Sequence, residues 1–153
     1  MATTASSAAH HFAELRERAQ APTALGAPVV AELQALLGER VALALPVREH
    51  HGTDISSYPV TPPDAVVYPH STEEVAAVVR ICARHGTPMI PFGTGTSVEG
   101  HVLATSGGVC IDLSQMNAIV EVNASDLDVR VQPGVTRKQL NAYLHDTGLF
   151  FPI

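Results

Sequence analysis

Tryptophan is absent from the 153-residue sequence, and the remaining aromatics are three tyrosines and four phenylalanines. That leaves too few ring faces for the stacking platform on which single-stranded nucleic acid is held. Cationic residues are also scarce, with nine Lys and Arg against fifteen Asp and Glu and a formal charge of −6. A surface for DNA or RNA must neutralise phosphates, so this balance argues against a nucleic-acid partner. No apolar run approaches the roughly 20 residues that a membrane-spanning helix needs. The opening MATTASSAAHHF has neither the basic region nor the apolar core of a secretory signal. The expectation is a soluble intracellular chain, cytoplasmic or peripheral at the inner membrane. A Ser/Ala/Thr-rich start without early arginines leaves a mitochondrial transit peptide as the alternative. The two cysteines, Cys82 and Cys110, lie in apolar segments outside any CxxC spacing, and read as small buried hydrophobes.

What is present is a globular composition, 46% hydrophobic and 16% charged, at the length of one ordinary domain. A short helix is expected over residues 11–20, from Phe12, Leu15 and Ala19 on one face. A second is expected from Pro28 to the stop at Gly38, with Val29, Val30, Leu33, Leu36 and Leu37 as its stripe. The connector VREHHGTDISSYPVTPPD reads as an extended surface segment. From Ala65 the pattern becomes strand, helix, strand: AVVYP, then a Ser71–Glu74 capping box, then a stripe of Val75, Val78, Val79 and Cys82. Gly86 and Pro88 end that helix, and Met89 to Phe92 form the next strand, so a βαβ unit with parallel strands is expected. GGVCIDLS, NAIVEVN and DLDVRVQP read as three strands of a small meander. A last helix follows the T-x-x-Q box from Thr136 to Gln139, with Leu140, Tyr143 and Leu144 buried. The chain then enters LFFPI, which reads as the opening of a buried strand. Such a strand would lack backbone partners, so the sequence is expected to be incomplete at its C-terminus.

The candidate site is PFGTGTSVEG, residues 91–100. It is not the triphosphate loop GxxxxGK[ST], because it has no lysine. It is not the dinucleotide fingerprint GxGxxG either. Gly93 and Gly95 fit, but Val98 holds the third glycine position and no helix follows. These mismatches count against an NAD-dependent Rossmann enzyme, and they make the placing of Asp112 at the ribose-acid distance a coincidence. What remains is a strand running into a glycine-rich turn with Thr94, Thr96 and Ser97, whose amides and hydroxyls could form an anion-binding nest. On spacing alone, a plain connecting loop is the favoured reading.

Elsewhere the residues offer little chemistry. The adjacent pairs His10-His11 and His50-His51 lack the i, i+4 spacing of a helical metal site. His101 could contact an anion in the loop or simply be solvated. Asp126 and Asp128 read as a turn, Glu73 and Glu74 as helix caps, and no nucleophile has a convincing base.

Three ordered stretches together carry a resemblance. They are PPDAVVYPHSTEEVAAVVRICARHGTPMIPFGTGTSVEGH, GGVCIDLSQMNAIVEV and VQPGVTRKQLNAYLHDTGLFFPI. The sequence resembles the FAD-linked oxidase family with the vanillyl-alcohol-oxidase fold. Within that family it is most similar to the group that holds D-lactate dehydrogenase (cytochrome) and the flavin-binding chain of glycolate oxidase. The likeness starts near residue 46. Residues 1–45 read as an N-terminal helical segment, and over 46–153 the resemblance implies an α+β FAD-binding domain of the PCMH type. Of that domain the chain would hold the first α/β subdomain, with its βαβ unit and meander, truncated at the C-terminus.

The resemblance also implies roles. Phe92, Gly93, Thr94, Gly95, Thr96 and Ser97 would wrap the FAD pyrophosphate, and Gly100 would close that loop. Gln132, Pro133, Gly134 and Val135 match a second flavin-contacting stretch, and Pro152 approaches a third. Members that tether flavin from this loop carry histidine where this sequence has Thr96, so FAD is expected to be non-covalent. The family oxidises 2-hydroxy acids: a histidine takes the hydroxyl proton, flavin accepts hydride, and an arginine holds the carboxylate. Some members add a divalent metal. Those groups belong to the cap and C-terminal regions of the family, so no catalytic residue is assigned within 1–153. The implied partners are a small 2-hydroxy acid and a cytochrome or quinone acceptor. A non-enzymatic nucleotide- or partner-binding fragment is the alternative.

Overall fold

The computed structural model describes residues 25–152 together with His10 and Ala13. The helix expected over residues 11–20 therefore lies, Ala13 apart, outside the described residues. Helix α1 (Ala27–Leu37) carries Pro28 in its first turn, where a missing N–H leaves no bond unmade. Val29, Leu33 and Leu37 recur on its buried side. A short turn leads to strand β1 (Val41–Ala42).

The connector expected on the surface instead begins with a helix, α2 (Leu45–His51), whose Arg48 and His51 are buried. Pro46 falls in the first turn of this helix, where proline's fixed φ favours it. The far end of the connector is buried as well, including Thr61 and Asp64.

The expected βαβ unit forms from β2 (Ala65–Val67), α3 (Thr72–Arg84) and β3 (Met89–Phe92). Strand β4 (Val109–Asp112) inserts between its two strands and pairs in parallel with both, giving the order β1-β2-β4-β3 with β1 antiparallel at the edge. This corrects the three-stranded meander: only β5 (Ile119–Asn123) and β6 (Asp128–Val131) form a separate antiparallel pair. The reason is visible in β4 itself, where VCID is buried at every position. A strand without polar alternation suits a sheet covered on both faces.

Those two covers differ. On one face Ala65, Val67, Val109 and Ile111 pack against Val29, Leu33 and Leu37 of α1 and Val78, Ile81 and Cys82 of α3. On the other, Val66, Phe92 and Cys110 meet Val102 and Leu103 of the crossover and Val47 of α2. Both cysteines are free and buried.

Four local expectations change. Ser71 Oγ accepts from the Glu74 amide (3.2 Å), but the Glu74 carboxylate takes the His70 amide and Arg40 rather than completing a reciprocal box. In the α3 stripe Ile81 is buried and Val79 exposed. In α4 (Arg137–Leu144), Leu140 and Leu144 point inward while Tyr143 is exposed, one step off the buried stripe. Residues 149–152 form no strand; Phe151 instead exchanges two hydrogen bonds with Asn141 (2.6 and 3.0 Å), and Phe150 is exposed. Among the described residues, no helix is long and apolar enough to cross a membrane.

Candidate functional site

Strands β2, β4 and β3 all run the same way, and the glycine-rich loop leaves the C-terminal end of β3, the end where open parallel sheets bind ligands. Phe92 is buried at its base. At Gly93 a side chain would meet nothing within 4 Å, so the space beside this backbone is open. Gly95 has φ +68°, and a Cβ there would lie 2.7 Å from Phe92 Cζ. Only glycine meets both conditions without strain.

Among the described residues, the amides of residues 93–97 donate to no other backbone group. They therefore remain available as donors, with the hydroxyls of Thr94 and Thr96 3.1 Å apart beside them. Ser97 Oγ accepts from the Glu99 amide (3.3 Å) and lies 3.1 Å from Nδ1 of His101, which is exposed at the rim. The loop is braced from outside by residues 54–58. Gly100 packs against the Tyr58 ring, 3.1 Å from the position of an added Cβ. The hydroxyl and amide of Ser56, the Gly100 amide and nearby His101 hold the Asp54 carboxyl below its usual range.

The second expected stretch is brought to the same end of the sheet. Gly134 donates to Met116 O (2.8 Å) and Gln132 to Ala118 O (2.9 Å), while Gln132 Oε1 accepts from the Ala118 amide (2.9 Å). A Cβ on Gly134 would fall 2.3 Å from Leu113 O, so the glycine allows contact between backbones. Leu113 also donates to Phe92 O (3.0 Å) and thereby joins the two stretches. Pro133 is exposed, Val135 half-buried, and Pro152 exposed; no described contact joins Pro152 to the loop.

Beneath the loop lies a group that sequence reasoning missed. His51 and Asp112 are 4% and 5% exposed, and His51 Nε2 is 2.8 Å from Asp112 Oδ2. The ring stands 4.5 Å, centroid to centroid, from Phe92. Burial pulls the His51 pKa down, yet the bonds to Asp112 and to Val47 O and the Asp112 charge outweigh it and leave the pKa raised. Burial pushes Asp112 up, but His51 and Ser114 outweigh it and leave the pKa lowered. Two signals were available: an acid closing the apolar run GGVCID, and His51 four residues after Val47.

The donor set is neutral, all amides and hydroxyls, arranged around open space. That chemistry fits a diphosphate held in a site where each oxygen finds a donor. Among the described residues no cluster of His, Cys, Asp and Glu could hold a metal ion. Burial raises the Cys82 thiol and pushes Cys110 up to about 12, so neither is a nucleophile at neutral pH.

Residues 63–153 match the family described as FAD binding domain. Over 137 residues the chain is 50% identical to the probable mitochondrial D-lactate dehydrogenase of Danio rerio, covering 89% of this chain and 28% of that one. Over 127 residues it is 39% identical to the mitochondrial D-lactate dehydrogenase [cytochrome] of Arabidopsis thaliana, covering 82% and 22%. The chain thus spans about a quarter of the length of these curated relatives. Among solved structures, alkyldihydroxyacetonephosphate synthase superposes with a TM-score of 0.74 at 26% identity, covering 83% of this chain and 26% of that one.

Proposed function

This chain belongs to the FAD-binding domain family, and from that premise we propose that residues 92–97 and 132–135 hold the diphosphate of non-covalent FAD. The observation that carries the reading is the row of free amides at residues 93–97, fixed through Leu113 to the close-packed backbone of Gly134. Gly93 leaves the approach open, Gly95 supplies the left-handed turn, and the Thr94, Thr96 and Ser97 hydroxyls add donors at the rim. Gly100 closes the loop, and Pro152 is assigned to the same cofactor by resemblance alone. Thr96 cannot form a histidyl link, which supports a dissociable flavin.

For the complete protein the proposed activity is oxidation of D-lactate or a related 2-hydroxy acid, with electrons passed to a cytochrome or quinone. Bound FAD supplies the hydride acceptor; the residues of the two stretches bind and orient it, and none is assigned to proton transfer. The names of the Danio and Arabidopsis relatives support a mitochondrial location over the cytoplasmic expectation.

Anaerobic addition of D-lactate to the purified complete protein tests the activity. Bleaching of the flavin absorbance, faster than with glycolate or D-2-hydroxyglutarate, is expected. A flavin that dithionite reduces and no 2-hydroxy acid does would overturn it.

A further inference from the structure

FAD binding by the loop does not by itself require a charged pair buried directly under it. We propose that His51 and Asp112 are positioning residues for FAD, a buried hub that holds the glycine loop and the 132–135 stretch in fixed relation; this rests on the FAD reading above.

The His51 ring meets an oxygen at each nitrogen, Val47 O at Nδ1 and Asp112 Oδ2 at Nε2, both at 2.8 Å. A neutral imidazole has one N–H, so donating to both requires the imidazolium. Asp112 uses its second oxygen as well, accepting from the Ser114 amide (2.7 Å). Three connections run outward. The His51 ring packs on Phe92, whose own ring lies under Gly95. Asp112 is the register partner of Phe92 across β3 and β4. The Asp112–Ser114 bond sets the turn whose Leu113, Ser114 and Met116 carbonyls surround Gly134. One ion pair therefore supports both proposed cofactor stretches, although its members are 61 residues apart in sequence. Fixing a register is the best-attested use of a buried pair.

The other titratable or charged groups near His51 are few. Its own helix carries Arg48, Glu49 and His50, the last with its ring 5.2 Å away. Tyr68 after β2 is 6.0 Å away, and β4 brings Cys110 besides Asp112. Strand β3 presents only Phe92. Burial raises Tyr68 and holds Cys110 at about 12, so neither loses its proton at neutral pH.

The test uses flavin-stripped full-length protein and FAD itself, following fluorescence quenching from mildly acid to mildly alkaline pH. Wild-type affinity should be constant while His51 is charged and fall about tenfold as it loses its proton, a coupling of ordinary size. Nitrogen-15 shifts of the His51 ring should report that proton loss at the same midpoint. His51→Gln should bind about tenfold more weakly at mildly acid pH, without the pH dependence. Equal affinity and an identical pH profile in wild type and His51→Gln would overturn the hub while leaving FAD binding intact. Should the variant not fold, the wild type decides. Coincident midpoints support the hub, and an affinity indifferent to His51 deprotonation overturns it. Wild type that binds no FAD at any pH overturns the FAD reading and this proposal with it.

Discussion

A methyl group at Gly95 would sit in left-handed backbone, φ +68°, with its carbon 2.7 Å from the Phe92 ring. A left-handed non-glycine residue costs about 1–2 kcal/mol, so Gly95→Ala should weaken FAD binding about tenfold. Titration of flavin fluorescence measures it, and an unchanged affinity would remove Gly95 from the site. The His51–Asp112 pair makes a second prediction, on stability. His51 is raised above its ordinary 6.5, so its contribution is complete below 6.5 and lost as pH climbs through the higher folded value. Asp112 is lowered from 3.8, so its contribution is complete above 3.8 and lost as pH falls through the lower folded value. The advantage of wild type over Asp112→Asn in thermal melting should therefore be greatest between pH 3.8 and 6.5. Breaking a buried pair typically costs about 3–5 kcal/mol. A difference in melting temperature that ignores pH would contradict the charged pair.

At the scale of elements, β4 explains both the core and the limits of sequence reading. Its cysteine is buried between strands, and burial pushes that thiol up to about 12. Cys82 is buried in α3. Neither should react with a disulfide reagent in the native protein at neutral pH, and both should react once the chain is unfolded. Fast labelling of Cys110 before unfolding would contradict a central β4. Elements whose signals are local were legible: the Pro28 start of α1, the Ser71 cap, the β3 run and the glycine loop. What was not legible depends on long-range packing. VCID could belong to a hairpin or to the middle of a parallel sheet, and only the helices on one face and the crossover on the other decide. Helix α2 was hidden because proline, glycine and paired histidines suggest a loop, whereas its inward face is fixed by Arg48 donating to Pro63 O (2.7 Å) and by His51. The candidate loop could be read from its glycines, whereas the signals of its buried support lie 61 residues apart and do not show that Asp112 and His51 meet on folding.

The described residues form a four-stranded sheet covered on both faces, its parallel strands ending at an open loop, and a separate antiparallel pair. Its family match is to an FAD binding domain, over about a quarter of the length of the dehydrogenases it resembles. The central claim is therefore about the flavin, and acid precipitation of the purified complete protein tests it most directly. The account predicts a yellow supernatant containing FAD at one per chain and a colourless pellet. A protein without flavin, or a pellet that stays yellow because the flavin is bonded to the chain, would contradict it.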